Sequence, residues 1–211
     1  MALERLLHID ASPRAERSRS RTIAARFLDR LHRTRPGLAV EHLELWRETL
    51  PELGTGMIEG RYSLINGDEV DADIRDAWKT VERHVEGFLA FDGYLISTPM
   101  WNFGIPYRLK HFVDLVTQPG MAFSNDAEGR VTGHAAGKKA AIIAASALDI
   151  APGGPLAAFD FQLDYLATWL RFIGIEDIAT LRVAPTFGPP EQVDAAMAEG
   201  TEAAERMAMA F

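Results

Sequence analysis

The stretch LLHIDASPRAERSRSRTIAARFLDRLHRT, residues 6–34, holds three kinds of sequence in a row. Leu6–Ala11 is a short apolar run of strand length. Ser12–Thr22 then packs Ser12, Ser18, Ser20 and Thr22 among Arg14, Arg17, Arg19 and Arg21. Beyond it Ile23, Phe27 and Leu31 recur at helical spacing, so one helix face is apolar. A buried strand, a polar loop and an amphipathic helix make the opening of an alternating strand–helix chain.

The alternation continues to the end. AVEHLEL (39–45), DGYLISTP (92–99), KKAAIIAAS (138–146) and EDIATLRVAPT (176–186) read as further strands. The run at 138–146 is almost continuously apolar, as expected of a strand covered on both faces. Between the strands, Ile74, Trp78, Val81, Val85 and Phe88 mark one helix, and PYRLKHFVDLV (106–116) a second, entered through Pro106. PLAAFDFQLDYLATWLRFIG (155–174) marks a long helix ended by Gly174, and PEQVDAAMAEGTEAAERMAMAF (190–211) closes the chain. Residues 46–67 are irregular, and GTGMIEG (54–60) reads as loop because its glycine spacing is one residue too long for a dinucleotide fingerprint. MAFSNDAEGRVTGHAAG (121–137) is an excursion rich in turn residues. Five strands alternating with helices predict an α/β fold, a doubly wound parallel sheet with helices on both faces. The 211 residues suit one domain, 1–211.

Composition excludes more than it identifies. Apolar residues are 47% and charged residues 25%, ordinary for a globular protein. The absence of cysteine removes disulfides and thiolate chemistry. The opening residues lack a signal-peptide pattern, and no apolar run approaches the roughly 18 residues that span a bilayer. A cytoplasmic location follows as an expectation, with no membrane partner. A net charge of -8 argues against nucleic acid as the main partner.

In an open parallel sheet, ligands bind beyond the carboxyl ends of the strands. Three loops therefore matter. The first is Ser12–Thr22, whose hydroxyls and arginines stand at a helix N-terminus, the natural seat of a phosphate. Taken singly, Ser18 or Ser20 reads as an N-cap and the arginines as a solvated face. The second is TPMWNFGIPYRLKHFVDLV (98–116), where Trp101 and Phe103 could line a flat ring or cap the core. The third follows Ser146 and reads SALDIAPGGP (146–155).

PMWNFGIPYRLKHFVDLV resembles the signature of the FMN-dependent NADH-azoreductase family, the flavodoxin-like quinone reductases. SPRAERSRSRT resembles that family's phosphate loop, and GMAFSNDAEGRVTGHAAGKKAAII and FIGI (172–175) resemble its later segments. The resemblance implies a flavodoxin-like five-stranded sheet of order 2-1-3-4-5. It also implies FMN as cofactor, NADH or NADPH as electron donor, and a quinone or azo compound as acceptor, reduced by two electrons in a ping-pong cycle. Carried over by position, Ser12, Ser18, Arg19 and Ser20 would hold the FMN phosphate. Met100, Trp101, Asn102 and Phe103 would line the isoalloxazine, and Ser146 would stand at its pyrimidine end. The family usually has tyrosine where this chain has Trp101. It usually has a glycine pair soon after the serine, where this chain has Leu148 and Asp149; Asp149 should then face solvent.

The cofactor would carry the chemistry, so no side chain is named as catalytic and no metal ligand is expected. His8 and His42 lie on strands, His84 and His111 on helices, and none forms a ligand pair. The family pairs its subunits, which implies a homodimer. Leu109, Phe112, Val113 and Val116 are more apolar positions than one helix face needs, unless all of them pack inside the monomer. Two other readings share the fold: a one-electron flavodoxin-like carrier, and a non-flavin protein that binds another phosphate ligand.

Overall fold

A computed structural model describes residues 2–150 and 153–211. Five parallel strands form one sheet: β1 (Arg5–Asp10), β2 (Ala39–Glu44), β3 (Gly93–Pro99), β6 (Lys139–Ala145) and β7 (Asp177–Val183), in the order β2-β1-β3-β6-β7. Counted along the sheet's own strands this is 2-1-3-4-5. A small antiparallel pair, β4 (Phe123–Asn125) and β5 (Val131–Gly133), forms the excursion before β6.

Alternation along each strand divides the core in two. Leu6, Leu95, Ala141 and Ile143 face α1 (Arg19–Thr34) and α6 (Pro190–Ala210), where Ile23, Phe27 and Leu31 are fully buried. Leu7, Ile9, Tyr94, Ile96 and Ile142 face α3 (Ala72–Leu89), α4 (Tyr107–Val116) and α5 (Phe161–Phe172). With both faces covered, β3 and β6 are buried along nearly their whole length. The strand order reverses between β1 and β3, and the crevice at such a reversal is where these sheets bind ligands.

Three sequence expectations change. Residues 54–60 are not loop: α2 spans Thr55–Asn66. Its periodic signal is faint because it packs only partly, through Met57 and Leu64, while Ile58 and Tyr62 stay exposed. Gly60 is needed there, since a Cβ would lie 2.3 Å from Ile74 Cγ2 on α3. The helix expected over 155–174 starts only at Phe161, because Asp160 caps it, its side chain accepting the Gln162 and Leu163 N–H groups. Finally, Leu109, Phe112, Val113 and Val116 are all buried within the monomer. They offer no surface to a second copy.

Candidate functional site at the carboxyl edge of the sheet

The loop after β1 is built from beneath. Asp10, the last residue of the strand, accepts the Ser12 N–H at 2.9 Å, and Ser12 Oγ accepts the Arg14 N–H at 3.4 Å. Ser18 is the N-cap of α1: its Oγ accepts the Arg21 N–H at 3.2 Å and lies 3.2 Å from Ser20 Oγ. Ser12, Ser18 and Ser20 are all nearly inaccessible. The first-turn N–H groups of a helix lack intrahelical acceptors and carry its partial positive charge. Adjacent buried hydroxyls at that end form a donor set that fits a phosphate group. Ser18 thus does serve as a cap, and because one of the two hydroxyls donates to the other, the Ser18–Ser20 pair keeps one proton to donate outward.

The four arginines divide. Arg14, Arg17 and Arg19 make no ion pair with another described residue. Arg21 turns inward, contacting Asp10 closely and reaching Glu44 on β2 at 2.7 Å. Burial pushes the Asp10 carboxyl above the usual carboxylate range, partly offset by the Ser12 N–H and by Arg21. Hydrogen bonding to Arg21 lowers Glu44. Arg21 therefore neutralises the acids behind the loop, which would otherwise oppose an anion in front of it.

His8, on the same face of β1, is buried. Its Nε2 lies 2.9 Å from Ser97 Oγ on β3 and its Nδ1 3.1 Å from His42 Nδ1 on β2. Burial, then His42 and Arg21, hold its pKa down at about 3. This imidazole belongs to the scaffold under the site.

The loop after β3 makes a tight turn. Trp101 and Gly104 exchange both backbone hydrogen bonds, each at 3.0 Å. Asn102 and Phe103 between them have φ of 46° and 70°. Two consecutive left-handed residues suit Asn-Gly; for phenylalanine the conformation costs about 1–3 kcal/mol. Neither the Asn102 nor the Phe103 N–H bonds to another described residue. Met100 is tied to the neighbouring strand by its N–H, 2.7 Å from the Ala145 carbonyl. The side chains of Trp101, Asn102 and Phe103 are exposed.

Ser146 stands at the end of β6, buried, its Oγ donating to the Leu148 carbonyl at 2.5 Å and its own carbonyl accepting from Thr186. Asp149 is exposed. The path of the loop 147–154 is only partly described, since residues 151 and 152 lie outside the described residues.

Four aromatic residues that the sequence did not single out complete the edge. Trp46 donates its Nε1–H to the Ala11 carbonyl at 2.9 Å, and its ring lies 5.6 Å from Trp101 and 5.3 Å from Tyr107. Arg108 holds the Trp46 segment by donating to the Leu45 and Glu48 carbonyls. Phe159 lies 5.1 Å from the Phe103 ring, and the Phe161 N–H donates to the Phe103 carbonyl at 3.1 Å. A cleft of about 720 Å³ opens beside the turn, lined by Trp101, Asn102, Ile105, Tyr107 and Lys110 among others. No group of residues suited to hold a metal occurs among the described residues.

This arrangement has known counterparts. A family model described as a flavodoxin-like fold matches residues 4–208. The FMN-dependent NADH:quinone oxidoreductase of Nitratidesulfovibrio vulgaris strain DP4 is 41% identical over 207 residues, covering 98% of this chain and 99% of that protein. The chain belongs to the FMN-dependent NADH-azoreductase family of flavodoxin-like quinone reductases. Another relative, FMN-dependent NADH:quinone oxidoreductase 3 of Pseudomonas fluorescens, is 37% identical, covering 98% of this chain and 96% of that protein. Among solved structures, the azoreductase from Bacillus anthracis strain Sterne superposes with a TM-score of 0.89 at 26% identity, covering 99% of this chain and all of that one.

The buried His8 gives the scaffold an acid limit. Its folded pKa, about 3, lies below the value of 6.5 for an unperturbed imidazole. The unfolded chain therefore binds the proton first, and stability is lost as pH falls from 6.5 towards 3, by at most about 1.4 kcal/mol per pH unit. Asp10, with its raised pKa, acts in the opposite sense. Urea unfolding measured between pH 7 and pH 4 should show a shallower acid loss for His8→Gln than for the wild type; identical slopes would mean that His8 titrates normally.

Proposed function

We propose that this chain is an FMN-dependent NADH:quinone oxidoreductase and azoreductase, acting as one FMN-binding domain over residues 1–211. The observation that carries the reading is the pairing of a buried-hydroxyl phosphate loop with a strained, aromatic-flanked turn on adjacent strands of a family member that matches its relatives end to end. Bound FMN would supply two-electron transfer from NADH, or NADPH, to a quinone or azo compound. The chain's part is to bind, orient and shape. Ser12, Ser18, Arg19 and Ser20 would hold the phosphate. Met100, Trp101, Asn102 and Phe103 would face the ring, with the free N–H groups of the turn as donors, and Ser146 would fix the loop at its far end. Trp101, backed by Trp46 and Tyr107, would offer the acceptor a flat face. No side chain is assigned a proton-transfer step.

The functional unit is proposed to be a homodimer. Helix α4 does not support it, but the carboxyl edge does: Trp101, Phe103, Tyr107, Phe159, Phe161 and Phe187 are all exposed there. Exposed aromatics in such number mark an interaction surface, and a two-fold pair is the commonest soluble assembly. A cytoplasmic location is part of the same proposal; no helix among the described residues is long and apolar enough to cross a membrane.

The reading is tested first by heating the purified protein and identifying the released flavin, then by following NADH oxidation with a soluble quinone. FMN and steady turnover are expected; FAD, or no flavin, would overturn it. Ser18→Ala with Ser20→Ala should raise the FMN dissociation constant by about 10- to 150-fold, since the pair has one proton for the phosphate and a hydrogen bond to a charged acceptor contributes about 1.5–3 kcal/mol. An unchanged constant in a titration of the apoprotein would remove the phosphate from this loop. Trp101→Ala should slow turnover of a bulky azo dye several-fold more than that of a small quinone, and a uniform loss with a lowered Tm would make Trp101 structural. Light scattering at micromolar concentration should return twice the chain mass; the mass of one chain would reject the dimer.

A further inference from the structure

Phe103 holds a positive φ of 70°, costly for a bulky side chain, and among the described residues its own turn is closed by the two Trp101–Gly104 hydrogen bonds. The remaining restraint comes from the start of α5. The Phe161 N–H holds the Phe103 carbonyl at 3.1 Å, and the Phe159 ring packs 5.1 Å from the Phe103 ring. That helix start is itself organised by one carboxylate. Asp160 Oδ1 accepts the Gln162 and Leu163 N–H groups at 3.2 and 3.1 Å. Its Oδ2 is in close contact with Arg182 on β7, and these two side chains are only 19% and 11% exposed. Arg182 also donates to Gln162 Oε1 at 3.3 Å. Gln162, fully buried, extends Nε2 to the Thr98 carbonyl at 3.5 Å, three residues before the turn. The chain of contacts runs from an outer strand of the sheet, through the first residues of α5, to both ends of the ring-facing loop.

We infer that Arg182 is a positioning residue for the turn 101–104. Acting through Asp160 and Gln162, it fixes the start of α5 so that the Phe161 N–H and the Phe159 ring hold Phe103 in the left-handed conformation that presents the turn to FMN. The role rests on the FMN reading above. Arginine suits it because its planar fork engages two acceptors at once, a geometry that a lysine ammonium does not reproduce. A partly buried pair of this kind is weak evidence for stability, whereas its geometric effect on the turn is specific.

The strain supplies the test. Glycine adopts a positive φ without steric cost, so in a Phe103→Gly background the turn no longer needs the restraint. FMN dissociation from the holoenzyme is followed by the rise in free-flavin fluorescence on dilution, for Arg182→Met in both backgrounds. With Phe103 in place, Arg182→Met should raise the dissociation constant about tenfold, which is about 1.4 kcal/mol. In the Phe103→Gly background it should raise it less than about threefold. Arg182→Lys should fall between Arg182→Met and the wild type. Asp160→Asn keeps a capping side chain but drops the ion pair, and should show the same dependence on background even where Arg182→Met folds poorly. Equal losses in the two backgrounds, or no loss in either, would overturn this role and leave the FMN reading standing. A purified chain that takes up no FMN would overturn the reading and this role together.

Discussion

The reciprocal hydrogen bonds between Trp101 and Gly104 set the constraint on which the site depends. They close a two-residue hairpin turn, whose favoured twist calls for left-handed central residues, and Asn102 and Phe103 take positive φ. A cost of that kind persists only where the surroundings over-determine it. Here they do so from two directions. Met100 is bonded to the end of β6, and Phe103 is held by the start of α5. The fold provides both supports because β3 lies beside β6 in the sheet and α5 follows β6 in the chain.

The loop after β1 shows a second kind of preorganisation, electrostatic rather than conformational. Placing Asp10 two residues before Ser12 aids the loop, since its carboxylate holds the Ser12 N–H. The same charge would repel an anion. Arg21 offsets it from within α1 and is in turn shared with Glu44. The remaining arginines are left to solvent and to whatever anion the loop receives. An acidic chain can thus carry a locally favourable anion site, because the field at a loop is set by the nearest charges and by their pairing rather than by the total. The polar layer of His8, His42 and Ser97 behind it ties β1, β2 and β3 together at the same end.

What the sequence alone determined is what repeats. Ile23, Phe27 and Leu31 identify α1, Trp78, Val81, Val85 and Phe88 identify α3, and the unbroken apolar run of β6 declares a strand covered on both faces. Each signal comes from burial of a whole face, and burial leaves a period in the chain. The hydroxyls of the first loop and the aromatics of the second were legible for a different reason: their residue types are unusual at strand ends. Only the tertiary structure decided the rest. Helix α2 packs too little to leave a period. The four apolar residues of α4 face inward because α3 lies against them, which no count along one helix can reveal. Trp46, Phe159 and Phe161 reach Trp101 or Phe103 through contacts across 55, 56 and 58 residues of chain, respectively, and Arg182 reaches Asp160 across 22. Such contacts are set by how the sheet brings its carboxyl edge together, and they leave no local pattern in the sequence to be read.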